Sequence, residues 1–321
     1  LSKKDAADVK LPLRRRLLTR RKLLAGGLVL GAGVLELESL TGSWDHRRAI
    51  KLANQERFAE SMKRLLSPEL TAPGAGAVVH VGHSTHLVVV NGVRFLTDPW
   101  FHDPAFGSMA HEHPLPALPH DITPLHGILI SHDHPDHVDM DALATLPDDA
   151  VCIVATKELA AKAKNAGRKE AHVLAPWESM VLRGVTIAAV PALHDIYEIG
   201  FVVQGGGTSV YFAGDTRLHP SLPEIKERFS PRASILPVDG TRIRGGDLHV
   251  MRPEHAVEAA RTLGSQVVMP SHAEGILYDP LAKYVISENI EGAGDIFASM
   301  MKAALPSIRC ELPQPGGLFT F

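Results

Sequence analysis

Residues 132 to 137, His-Asp-His-Pro-Asp-His, put three imidazoles and two carboxylates into six positions directly behind the apolar run Gly-Ile-Leu-Ile and Ser131. Imidazole and carboxylate together are the donor set of divalent metals of the zinc class. In a tight loop, His132 and His134 point to one side while Asp136 and His137 turn toward a neighbouring point, so the spacing serves two adjacent metals. Pro135 stiffens the turn by fixing its own φ. A loop of solvated histidines is the alternative. It suits a lone histidine better than four ligand-type side chains in six positions.

A strand must hand this cluster over to a helix, and the surrounding sequence alternates in that way. Strand-like runs AVVHVG, HLVVV, VRFLTD, GILIS, VCIVA, VTIAAV, GFVVQ, SVYFAG, ASILPV and QVVMP are interleaved with helical patterns at MDALATL, KELAAKAKNA, PEHAVEAARTLG and GDIFASMMKAA. The alternation predicts an α/β domain of two sheets with helices outside. Gly205 to Gly207 have no phosphate-loop lysine and no following helix, which predicts a hairpin turn. Upstream, Ile50, Leu52, Phe58, Met62 and Leu65 have helical spacing, and a linker runs to residue 75.

Residues 1 to 43 read as a leader. Arg20 and Arg21 precede an apolar stretch from Leu23 to Leu35, too short to span a bilayer but suited to a signal peptide. The order Thr-Arg-Arg-Lys-Leu-Leu resembles a twin-arginine export signal, which implies an envelope or periplasmic protein exported already folded. The alternative is a basic amphipathic helix that associates with a membrane, and without an export signal the protein would be cytoplasmic. The whole chain of 321 residues carries a formal charge of -3. Residues 1 to 25 are strongly basic, so the remaining body is acidic and a poor partner for nucleic acid. Cys152 and Cys310 match neither a disulfide framework nor a zinc spacing.

The hexad resembles the HxHxDH signature of the metallo-β-lactamase superfamily. Further ligand-type residues follow in the family's order at predicted strand ends: His194 in PALHD, Asp215 in FAGDT and His272 in MPSH. The resemblance covers residues 76 to 275 and implies a four-layer αββα sandwich over residues 76 to 321. It implies that His132, His134 and His194 hold one metal, that Asp136, His137 and His272 hold a second, and that Asp215 bridges them. The implied cofactors are two divalent ions, zinc first, with manganese or iron as alternatives. Two such ions about 3.5 to 4 Å apart bring the pKa of a shared water toward roughly 7 and polarise the scissile carbonyl or phosphoryl group. Asp136 is also expected to orient the attacking hydroxide.

The stretches VGHSTHLVVVNGVRFLTDPWF and VMRPEHAVEAARTLGSQVVMPSH are similar to the branch of L-ascorbate-6-phosphate lactonase and the N-acyl-phosphatidylethanolamine-hydrolysing phospholipase D. Zinc β-lactamases commonly carry cysteine where Asp215 stands. Di-iron oxygen reductases carry an acid at the His134 position and an added flavin domain. The nuclease branch inserts a domain before the last histidine, for which residues 215 to 272 leave no room. Each departure points away from the corresponding activity.

Asp98 in FLTDPW resembles the family's buried aspartate that holds a ligand histidine, with a turn-capping role as the alternative. His83 in VGHST is expected to support the ligands or to be a turn residue. The long Pro- and His-rich loop after Asp98 reads as a substrate loop, with Trp100, Phe101, His111 and His113 as its candidate contacts. Arg242 and Arg244 would favour a phosphate or carboxylate if they faced the metals. His249 and His255 read as structural. The expected activity is hydrolysis of a phosphodiester or lactone-like ester in a small or lipid-like substrate. A non-catalytic metal-binding or envelope interaction protein is the alternative.

Overall fold

The computed structural model describes residues 45–321, so the leader assigned to residues 1 to 43 lies outside the described residues. In chain order the strands begin with β1 (Gly76–Gly82), β2 (Thr85–Val90), β3 (Val93–Thr97), β4 (Met109–His111), β5 (Gly127–Ile130), β6 (Val151–Val154) and β7 (Ala171–Val173). There follow β8 (Ser179–Leu182), β9 (Val185–Pro191), β10 (Ile199–Gly205), β11 (Thr208–Phe212), β12 (Ala233–Pro237) and β13 (Arg242–Ile243). The last are β14 (Val267–Ser271), β15 (Gly275–Leu277), β16 (Ser287–Glu288), β17 (Arg309–Cys310) and β18 (Leu318–Thr320). The helices are α1 (45–64), α2 (Pro68–Thr71), α3 (Met140–Thr145), α4 (Lys157–Asn165), α5 (Leu222–Phe229), α6 (Pro253–Leu263) and α7 (Ala293–Ala304).

One seven-stranded sheet runs β18-β1-β2-β3-β5-β6-β7 and the other β17-β14-β12-β11-β10-β9-β8. Each is half antiparallel and half parallel. In the first, β1 to β3 pair antiparallel and β3, β5, β6 and β7 pair parallel. In the second, β8 to β11 pair antiparallel and β11, β12, β14 and β17 pair parallel. Parallel strands end on the same side of a sheet, so the loops behind β3 and β5 gather at one edge, as do those behind β11, β12 and β14. Ligand sites of open α/β sheets form at such carboxyl ends.

The two sheets bury a shared core that includes Leu87, Phe95, Ile128, Phe201, Phe212 and Ile235. Helices α3 and α4 add Leu143 and Leu159 to it. A second core, with Tyr211, Leu236, Ile225, Ala260 and Phe297, joins the outer face of the second sheet to α5, α6 and α7. This is the expected αββα arrangement. Every residue of β1, β2 and β3 is buried, which is why these strands read as mostly apolar runs, interrupted by the buried polar residues His80, Thr85, His86, Arg94 and Thr97. The predicted hairpin between β10 and β11 turns through Gly206 and Gly207, both at positive φ.

From residue 49 onward, the upstream helix and linker lie in the same compact unit as the sheets. Phe58 and Leu65 enter the main core, and Ser61 Oγ donates to Gly316 O at 2.7 Å. Among the described residues, no helix is long and apolar enough to cross a membrane.

Candidate metal centre

The hexad loop leaves β5 and closes on itself through Val138 N donating to His134 O at 2.9 Å. Asp139 then caps α3, its Oδ1 accepting from Asp141 N and Ala142 N at 3.0 Å each. Its Oδ2 accepts from Phe101 N at 3.0 Å and His102 N at 2.9 Å. One carboxylate therefore fixes both the exit of the hexad and the loop behind β3. Loss of such a cap typically costs about 1 kcal/mol.

Two groups of ligand atoms meet at the strand ends, each with all its atoms within 4.8 Å of one another. The outer group is His132, His134, His194 and Asp215, with His134 and His194 partly exposed. The inner group is His83, Asp136, His137 and His272, all buried. In the outer group, His134 Nδ1 lies 3.0 Å from His132 Nε2 and 3.3 Å from His194 Nε2. Asp215 Oδ2 stands between the groups, 3.0 Å from Nε2 of both His137 and His272 and 3.9 Å from His132 Nε2.

Several of these buried atoms have no hydrogen-bond partner: Asp136 Oδ1, Asp215 Oδ1, His137 Nε2 and both ring nitrogens of His83. An unsatisfied buried polar atom costs about 1–3 kcal/mol. Convergent, unpaired N and O donors are what a divalent cation needs, so the residues fit the metals that the sequence implies.

Charge divides the two groups. Burial, and then the neighbouring His137, pulls the His132 ring down to about 3. Burial and His132 take His134 to about 4. Burial also acts against the charged forms of His137 and His272, but Asp215 and the other carboxylates around them carry both well above the usual imidazole range. Asp136 and Asp215 are held well below the usual carboxylate range against the effect of their burial, by His137 and His272 in particular. The carboxylates that would attract a cation thus also favour protonation of His137 and His272, and a metal entering there would compete with those protons.

A layer of buried acids holds the ligands. Asp98 Oδ2 accepts from Ser131 Oγ at 2.6 Å and lies 2.7 Å from His137 Nδ1, while Oδ1 accepts from Ser131 N at 2.7 Å. Asp98 also lies within 4.8 Å of His132 and His137. Both its oxygens are already engaged, so this is a support rather than a third metal position. Sequence reasoning missed Glu198, whose Oε1 accepts from Asp215 N at 2.6 Å and lies 3.2 Å from His132 Nδ1. Burial pushes the Glu198 carboxyl up to about 8. Asp239, directly behind β12 and its following valine, faces His272 Nδ1 at 3.2 Å. Its position after ASILPV was a signal available in the sequence.

His83, expected as a support or turn residue, stands inside the inner group itself. Of the expected substrate-loop contacts, none lines the cleft. Trp100 is 1% exposed, meets His83 edge-on and stacks on His111 at 3.7 Å. Phe101 packs on the main core. His111 lies in β4 with Nδ1 2.7 Å from Asp103 Oδ1, and neither it nor His113 belongs to a metal group. The same loop instead supplies Phe106, Ser108 and Met109 to the cleft. Large loop aromatics bury when the scaffold offers a pocket, and here the pocket lies behind the ligands.

The cleft above the centre measures about 370 Å³. His134, Asp136, His194, Asp215 and His272 form its floor. Its walls rest on two small antiparallel ribbons, β4 with β15 and β13 with β16. Met109, Ile243, Val250 and Leu277 make the walls largely apolar. Arg242 is also in the wall, but it and Arg244 are ion-paired to Glu288. His249 lines the cleft as well, and its carbonyl oxygen accepts from His194 Nδ1 at 2.9 Å. His255 is on α6 and joins neither metal group.

The model of the beta-lactamase superfamily domain matches residues 93–273, more than half of the sequence, and the chain belongs to that metallo-β-lactamase superfamily. Its relatives there are metal-dependent hydrolases. A UPF0173 metal-dependent hydrolase of Pyrobaculum aerophilum is 30% identical over 200 residues, covering 60% of this chain and 81% of that protein. Its counterpart in Pyrobaculum neutrophilum is 31% identical over 204 residues, with the same coverage of 60% and 81%. In fold, the chain is similar to the metallo hydrolase Igni18 of Ignicoccus hospitalis, with a TM-score of 0.59 and 24% identity over 77% of this chain and 98% of that one. It is also similar in fold to an isothiocyanate hydrolase from Delia radicum gut bacteria, with a TM-score of 0.62 and 19% identity over 76% and 98%.

Proposed function

We propose that this metal-dependent hydrolase works with two divalent ions, zinc before manganese or iron, on a phosphodiester or lactone-like ester of a small or lipid-like molecule. The observation that carries the reading is the single Asp215 oxygen facing both ligand groups at the floor of an apolar cleft. Metals bound there would supply a water acidified to near neutral pH and a Lewis acid for the scissile group.

The protein does the rest. Asp215 and the imidazoles hold their donor atoms in place, locked from behind by Asp98, Glu198 and Asp239. Asp136 lines the cleft with Oδ1 free of any hydrogen bond, where it can accept from the attacking water and aim its lone pair. Phe106, Met109, Ile243 and Leu277 seat an apolar group and displace bulk water from around the scissile bond. With Arg242 and Arg244 both committed to Glu288, the wall offers little to a dianionic monoester. A diester or an uncharged lactone fits better, in line with the resemblance to the lactonase and phospholipase D branch.

The test is metal content of the purified protein beside Asp215→Ala, followed by hydrolysis of bis(p-nitrophenyl) phosphate and a lactone panel. About two equivalents per chain with metal-dependent turnover supports the reading. A wild-type protein that stays metal-free after reconstitution overturns it. Delivery to the cell envelope by residues 1 to 43 is a separate proposal, checked by fractionating cells that express the full chain with and without Arg20→Lys and Arg21→Lys.

A further inference from the structure

The structure assigns a further metal ligand, His83, so that the inner position is held by four side chains: His83, Asp136, His137 and His272. The assignment rests on the two-metal reading and deepens it.

Distances come first. Asp136 Oδ2 lies 3.4 Å from His83 Nε2, 3.4 Å from His272 Nε2 and 3.7 Å from His137 Nε2. Donors on a tetrahedron with bonds of about 2.0–2.1 Å are separated by roughly 3.4 Å. By its distance from Asp136, His83 fits a corner as well as the two histidines already assigned, and its ligand atom lies within 4.8 Å of theirs.

Satisfaction of polar groups points the same way. His83 is 1% exposed and neither ring nitrogen has a hydrogen-bond partner. The ring meets Trp100 edge-on at 5.3 Å and lies 4.2 Å from the His272 ring. A residue that merely oriented Asp136 would donate an aligned bond near 2.9 Å, and His83 does not.

The backbone shows how firmly the ring is placed. His83 takes φ of 52°, unusual for a residue with a side chain, in the turn just after the β1–β2 pairing shifts register between His80 and Gly82. Its N–H donates to Glu274 Oε2 at 3.2 Å, and its carbonyl accepts from His272 N at 3.4 Å. Glu274 is in turn met by His80 Nε2 at 2.9 Å. Strain retained at one residue and over-determined by its surroundings is a mark of a functional position. Here it joins the hairpin turn to the loop that carries His272.

The consequence is an asymmetric centre. With His83 beside Asp136, His137, His272 and the shared Asp215 oxygen, protein donors would fill the inner position, and a substrate oxygen would be polarised from the outer one.

The experiment is competitive metal titration with zinc and cobalt on the full chain, comparing wild type, His83→Ala, His83→Gln and the outer control His134→Ala. Thermal unfolding verifies that each variant folds. We expect two sites in wild type. Both His83 variants should weaken one site by more than about 100-fold, beyond the 10–100-fold typical of a supporting residue, and leave the other within about threefold. Added imidazole should restore the lost site in His83→Ala by refilling its corner, a response that a structural role would not produce. Two sites of unchanged affinity in His83→Ala, or wild-type affinity in His83→Gln, which keeps a donor but not a ring, would overturn the assignment. A single site in wild type itself would remove the two-metal reading and this inference together.

Discussion

The inner and outer ligand groups are built from the same residue types yet differ in exposure and charge. His134 and His194 of the outer group are partly exposed and line the cleft. Every member of the inner group is buried, and the carboxylates around two of its imidazoles, His137 and His272, carry them well above the usual imidazole range. The outer imidazoles His132 and His134 are neutral above about pH 4. On the two-metal proposal, the difference divides the labour: the inner position anchors, and the outer one meets substrate.

The sharpest way to break that division is Asp215→Ala. Its oxygen serves both groups, so both ions should weaken and kcat/KM should drop by on the order of 10³, as when a preorganised stabiliser of the transition state is lost. Turnover on the best ester of the panel measures it. Retained activity would mean that the groups work independently.

Acidity sharpens the comparison further. An ion entering the inner position displaces protons from His137 and His272, whose pKa values are raised above the ordinary 6.5. Its apparent affinity should therefore climb by up to about tenfold per proton for each pH unit above that value, roughly a hundredfold for two. The outer affinity should climb less steeply over the same range, because His132 and His134 are lowered to about 3 and 4. Competition titrations between pH 6.5 and 8 would show one steeper and one shallower site.

The metal-free protein should show the same split in its stability. His83, His132 and His134, lowered to about 4, 3 and 4, remove stability as pH falls below 6.5, because the unfolded chain takes up protons first. His137 and His272, raised above 6.5, remove it as pH rises toward their folded values. These five histidines together place an optimum near 6.5, visible as a maximum of Tm against pH.

Smaller effects follow from the supports and walls. Asp98→Asn should weaken the inner ion about 10–100-fold and the outer one far less, read by the same titrations. Ile243→Ala should raise KM several-fold for substrates with an apolar tail and leave kcat nearly unchanged, since about 1 kcal/mol of burial is lost.

How much of this the residues announced depended on locality. The hexad is contiguous, so its ligand types and spacing could be read directly, and the strands feeding it are apolar throughout. His194, Asp215 and His272 stood out only because they follow the hexad in the order the family resemblance implies, each behind a predicted strand. Glu198 and Asp239 support the ligands from loops beside β10 and β12; apart from Asp239's place behind a strand, nothing in the spacing links them to the atoms they hold. Trp100 and Phe101 were misplaced for a physical reason: an aromatic ring in a loop packs wherever apolar volume is offered. The short elements α5, β7 and β8 escaped notice too, and β7 and β8 leave their residues exposed or half-buried in place of a continuous apolar run.

One feature of the cleft bears on how such proteins diversify. The metal donors hang on ends of the two large sheets or on the tight β1–β2 turn, whereas much of the wall hangs on the two ribbons β4–β15 and β13–β16. Descent can therefore rewrite the ribbons by insertion, deletion or exchange without disturbing a single donor. Lineages sharing this metal scaffold can drift apart in what they digest while their histidines and aspartates stay put.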